Sequence, residues 1–128
     1  MSARALVAAL CAIASAAVPA AVAAGASTHP PARVLVYAQE WALWPSRPSV
    51  HGGRVIVQLW NRGQDPHDLR IRRLDRRGRM TGQAQGLAVT DSGAIGEASW
   101  RLGPGRYELY CSMPGHLQYG MHTRLLVK

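Results

Sequence analysis

The chain has 128 residues, with 15 Lys and Arg against 7 Asp and Glu, for a formal net charge of +8. This length holds one domain and excludes multidomain catalysts, while the charge suits acidic partners or anionic surfaces. No aromatic-interleaved basic motif or recognition-helix pattern accompanies the charge, which speaks against nucleic-acid binding, and a GC-rich coding sequence would give the same excess of arginine, alanine and glycine.

In chain order, residues 1–26 read as a cleavable secretory signal peptide. Arg4 supplies a positive start, Ala5 to Val18 is almost wholly apolar, and small residues run through Ala20, Ala21, Ala23, Ala24, Gly25 and Ala26. Pro19 and the alanine-rich tail keep the strongly hydrophobic run below the roughly 20 residues that a membrane span requires. Small residues occupy the −3 and −1 positions for cleavage after Ala23, Ala24 or Ala26. Leu10 precedes Cys11 where a lipoprotein signal wants a small residue. The expected mature chain is exported to the periplasm, the cell envelope or the medium, has no integral membrane span, and is a monomer. Of the two cysteines, Cys11 leaves with the leader. Cys111 then stands alone in an oxidising compartment, where it cannot form an internal disulfide.

Residues 27–32 form a flexible lead-in. From residue 33 to 128 helical periodicity is absent, and short β-rich runs alternate with Gly and Pro breaks. Strands are predicted at 33–38, 54–60, 67–74, 98–102, 107–111 and 121–127. Breaks fall at Pro45, Pro48, Gly52-Gly53, Asn61-Arg62-Gly63, Gly103-Pro104-Gly105 and Pro114-Gly115. This pattern predicts an all-β Greek-key sandwich or small barrel. The stretch 75–96, rich in Gly, Gln and small residues, is expected to be a long loop with one short helix or strand.

Alternate residues of a strand share a face. His67, Leu69 and Ile71 therefore point together, opposite Asp68, Arg70 and Arg72. Tyr107, Leu109 and Cys111 share the inner face of a later strand, as do Met121, Thr123, Leu125 and Val127 of the last, which puts His122 outside. His116 lies in the loop opened by Pro114-Gly115. Two imidazoles, a thiolate and a weakly held thioether form the trigonal donor set with a long axial Met that suits both Cu(I) and Cu(II). Zinc shares the His and Cys preference, but thioether is not among its usual ligands. Taken singly, each residue has a plainer explanation: a buried inert thiol, a structural histidine, a core methionine. Met113 reads as a packing residue beside the site, and His51 as a turn residue. No function is assigned to Trp41, Trp44, Trp60 or Trp100.

The run Cys111-Ser-Met-Pro-Gly-His116-Leu-Gln-Tyr-Gly-Met121 resembles the ligand loop of cupredoxins, the plastocyanin/azurin type 1 (blue) copper family. Trp60-Asn61-Arg62-Gly63 followed by Pro66-His67-Asp68-Leu69 is similar to the segment carrying that family's first histidine. Leu102 to Tyr107 resembles the turn into its cysteine strand. The likeness covers most of residues 54–127 and matches 75–96 poorly. It implies one copper ion on His67, Cys111 and His116 with Met121 axial, and His116 as the ligand nearest solvent and the electron exit. Asp68 departs from the family's frequent Asn or Ser: a carboxylate cannot donate a hydrogen bond to the cysteine loop unless protonated, although the backbone N–H of residue 68 can.

A closed four-ligand site leaves no open position for a substrate, so the reading is an exported electron carrier and not an enzyme. It would exchange single electrons with a redox protein partner bearing an acidic docking surface. Copper delivery, buffering or sensing with the same ligands is the alternative, and a metal-free interaction domain is the third possibility. Separately, cleavage after Ala26 would expose Ser27-Thr28-His29, an amino-terminal arrangement able to chelate Cu(II).

Overall fold

The structure is a computed structural model that describes residues 29–128. The leader and its cleavage positions lie outside the described residues, as do Ser27 and Thr28 of the amino-terminal chelate; His29 is exposed at the start of the described chain. Nine strands follow: β1 (Ala32–Gln39), β2 (Ala42–Pro45), β3 (Ser49–Val50), β4 (Gly53–Asn61), β5 (His67–Leu74), β6 (Met80–Thr90), β7 (Ile95–Leu102), β8 (Gly105–Tyr110) and β9 (His122–Val127). Among the described residues there is no helix, and so none long and apolar enough to cross a membrane.

The strands form two sheets, β2-β1-β4-β7 and β3-β9-β8-β5-β6. The chain leaves the first sheet after β4, returns for β7 and leaves again for β8, the crossing pattern of a Greek-key sandwich. β1 pairs with β4, and β3 with β9, in parallel; the other pairs are antiparallel. The core is the sum of the inward alternations: Val34 and Val36 of β1, Val55, Val57 and Leu59 of β4, Leu69 and Ile71 of β5, Trp100 and Leu102 of β7, Leu109 of β8, and Leu125 and Val127 of β9. Tyr107 joins this core while its hydroxyl donates to the Gly103 carbonyl at 2.9 Å, tying the β7–β8 turn to the sheet.

The six predicted strands are present with ends moved by at most three residues, and His67–Leu74 is reproduced unchanged. The expectation for 75–96 is overturned. This stretch holds a tight turn, all of β6, the longest strand in the molecule as described, and the start of β7. In the turn the Asp75 carboxylate accepts from the Arg77 and Arg79 backbone N–H groups at 2.8 and 2.9 Å, and Gly78 takes φ of 78°. β6 lies at a sheet edge and buries only Leu87 and Thr90, so it carries no hydrophobic alternation for a sequence reading to detect. The short β2 and β3 were also absent from the prediction; they are edge strands among Pro45 and Pro48.

Leu109 has no solvent exposure and sits in the strand that carries Cys111. Leu109→Ala is expected to lower unfolding free energy by about 2–5 kcal/mol, through lost transfer energy and a residual cavity. Val89→Ala, on the exposed side of β6, should change it by less than about 0.5 kcal/mol. Urea titrations of both variants measure the difference.

Candidate metal centre

Three neighbouring strands bring the candidate donors to one end of the sandwich. His67 is the first residue of β5, Cys111 follows the last residue of β8, and Met121 precedes the first residue of β9. β8 is hydrogen-bonded between the other two, with Arg70 opposite Tyr110 and Tyr110 opposite His122. The pairing runs one step past the strands: the Cys111 N–H donates to the Met121 carbonyl at 3.1 Å. His116 stands in the intervening turn, whose N–H groups at 116, 119, 120 and 121 all find carbonyls within the loop. The reversals at Gly115 and Gly120 have φ of 82° and 98°, a region that residues with a Cβ rarely enter.

The resulting geometry is compact. His67 Nδ1 lies 3.2 Å from His116 Nδ1 and 3.9 Å from Cys111 Sγ, and His116 Nδ1 lies 3.4 Å from that sulfur. A point equidistant from these three atoms is about 2 Å from each, the length of a metal–imidazole bond and close to that of a metal–thiolate bond. His67, Cys111 and Met121 have no exposure; His116 keeps 8 % and is the most accessible of the four. Met121 is packed in the same buried cluster as Cys111, and Met113 lies against it, partly covered. His122 is outside, its imidazole on the Glu108 carboxylate.

The electrostatics suit a cation. Burial pushes the Cys111 thiol up to about 11, so a bare site holds a neutral thiol and a bound cation must displace its proton. Burial lowers His67 against the opposing pull of Glu40, which keeps the imidazole neutral and able to ligate.

Two features of the site were missed in the sequence. Glu40, in the turn between β1 and β2, lies 3.1 Å from His67 Nε2, and Trp41 packs edge-on against the His116 ring with centroids 4.8 Å apart. Trp41 also stacks obliquely on Tyr119 at 5.0 Å, so His116 lies under an aromatic cover. Neither residue carries a motif, and only the tertiary pairing of distant segments reveals them.

Asp68 needs a correction. Strand parity put it on the outer face with Arg70, yet it is 2 % exposed. Its carboxylate accepts from the Ser112 N–H at 2.6 Å, from the Ser112 hydroxyl, and from Arg70 Nε at 2.9 Å. The expected mismatch with the cysteine loop is resolved by reversed polarity: the loop donates and Asp68 accepts. Burial alone would raise this carboxyl, but the Ser112 and Arg70 hydrogen bonds outweigh it and hold the group below its ordinary value.

No family model matches the sequence, and no curated protein matches it. Solved structures do match. Auracyanin B superposes with a TM-score of 0.62 at 20% identity, over 82% of this chain and 95% of its own. Auracyanin A, a "blue" copper protein from the green thermophilic photosynthetic bacterium Chloroflexus aurantiacus, gives 0.61 at 13% identity, over 77% of this chain and 100% of its own. Rusticyanin from Thiobacillus ferrooxidans gives 0.53 at 21% identity, over 75% and 76%. The chain has the cupredoxin fold. Within that fold, the donor cluster described above occupies the ends of β5, β8 and β9 together with the loop between the last two.

Asp68 joins the His67 strand to the Cys111 loop, so its removal should be costly. Asp68→Ala is expected to destabilise the metal-free protein by about 2–4 kcal/mol at neutral pH, through lost charged hydrogen bonds and the unpaired Ser112 N–H. Because the folded-state carboxyl is held below its unfolded value of about 3.9, the contribution is full at neutral pH and lost as pH falls through the folded value. Chemical denaturation at pH 7 and pH 3 should therefore show a gap between wild type and variant that narrows in acid.

Proposed function

We propose that the protein binds one copper ion through His67, Cys111 and His116, with Met121 as the weak axial ligand, and carries single electrons. The observation that supports this most directly is the triangle formed by two imidazole nitrogens and one sulfur around a common point at bonding distance. The adjacent thioether of Met121, which is not among zinc's usual ligands, favours copper. Copper held there would alternate between Cu(I) and Cu(II). The chain's own part is to keep the donors where they are: three come from hydrogen-bonded strand ends and the fourth from a loop closed by its own backbone bonds. Donors that need not move when the charge changes suit electron transfer better than release of the ion, which favours a carrier over delivery or buffering.

The ligand set is complete without substrate, which favours a carrier over a catalyst. His116 is the proposed exit, sheltered by Trp41 and Tyr119. The leader directs the chain to the periplasm or cell envelope. The proposed partner is a redox protein with an acidic docking surface that meets the protein at the His116 end.

Titration of the purified mature protein with Cu(II), followed by visible and paramagnetic resonance spectra, tests this reading. One equivalent should give intense visible absorption and a narrow hyperfine splitting, and Cys111→Ser should abolish both. A pale complex of ordinary geometry would favour delivery, and failure to bind copper stoichiometrically would overturn the reading.

A further inference from the structure

The Glu40 carboxylate joins two segments distant in sequence. Its Oε1 accepts from the backbone N–H groups of Gln64 and Asp65, each at 2.8 Å, and lies 3.1 Å from His67 Nε2. The loop that receives it is rigidly held. Asn61, fully buried, accepts from the Gly63 N–H at 2.9 Å and donates to the Asp65 and Thr90 carbonyls at 2.7 and 2.9 Å. Ser92 donates to the Gly63 carbonyl at 2.5 Å. Gly63 leaves room for the carboxylate, because a Cβ at residue 63 would overlap all three of its terminal atoms. The seat is thus shaped by a network that reaches the His67 strand through Thr90, the residue paired with His67 across β5 and β6.

A neutral imidazole carries one N–H, and the hydrogen bond made by one nitrogen decides which lone pair is free. An acceptor at Nε2 requires the proton there, which leaves the Nδ1 lone pair facing Cys111 Sγ and His116 Nδ1. We propose that Glu40 is a positioning residue for His67, fixing its tautomer and ring orientation for the metal and adding negative charge to that ligand. This inference rests on the copper reading above. A carboxylate hydrogen-bonded to a ligating imidazole raises its basicity and stabilises the more highly charged metal ion, so Glu40 should favour Cu(II) and lower the reduction potential.

Three variants test the role. Glu40→Gln can keep an oxygen in place for all three donors while removing the charge; Glu40→Ala removes both; Gly63→Ala expels an intact Glu40 from its seat. In the metal-free protein, nitrogen NMR of labelled histidine should show His67 as the Nε2–H tautomer in wild type and in Glu40→Gln, and a mixture in the two alanine variants. In the copper-loaded protein, Glu40→Gln should raise the potential and keep the visible band. The alanine variants should bind Cu(II) about 10- to 100-fold more weakly with a widened hyperfine splitting. Circular dichroism checks folding, and if Gly63→Ala fails to fold, the two Glu40 variants still decide. An unchanged potential in Glu40→Gln, or an unaltered His67 tautomer in Glu40→Ala, would overturn the proposal and reduce Glu40 to an anchor for the loop. If wild type takes up no copper, the copper reading fails while the tautomer measurement still decides the positioning.

Discussion

The register of β5, β8 and β9 governs this end of the molecule. Because side chains alternate along a strand, a one-residue slip would turn His67 or Cys111 away from the interior and break the donor triangle. Register is held by bulk and by polar clasps. A one-residue slip would expose Leu69, Ile71, Leu109 and Leu125, and the Cys111–Met121 backbone bond carries the register into the loop. Asp68 then fastens the His67 strand to the residue following the cysteine. The chemistry of the site thus inherits its precision from ordinary sheet packing.

Much of this was legible in the sequence because it depends on short-range pattern. The inward placement of His67, Cys111 and Met121 follows from period-two alternation with Leu69, Ile71, Leu109 and Leu125, and the loop spacing of His116 is local. What stayed hidden depends on segments meeting across the sandwich. Glu40 is 27 positions from His67, and nothing about an isolated glutamate before a tryptophan signals a histidine partner. Asp68 was misplaced because parity tells which side of a sheet a residue faces and not whether a neighbouring loop covers it. β6 escaped notice because an edge strand that buries only Leu87 and Thr90 shows no alternation to read.

Trp41 shows how one turn serves two members of the donor cluster. Glu40 reaches inward to His67 while the next residue covers His116, so the β1–β2 connection braces the cluster from the sheet opposite to the one that supplies His67, Cys111 and Met121. The two halves of the sandwich are coupled at the donor-cluster end by these contacts as well as by the apolar core.

The exposed edge of β6 carries a different consequence. From Met80 to Thr90 it has neither a formal charge nor a proline, the usual guards against strand-to-strand adhesion between copies. The irregularities in its pairing with β5 twist that edge, and mutual repulsion between strongly cationic molecules adds a second guard that acts through solvent. At 1 M ionic strength its reach shrinks to about 3 Å. Concentrated brine therefore leaves the edge to its twist alone, so part of the protein's colloidal behaviour is set by charges that stand elsewhere on the surface.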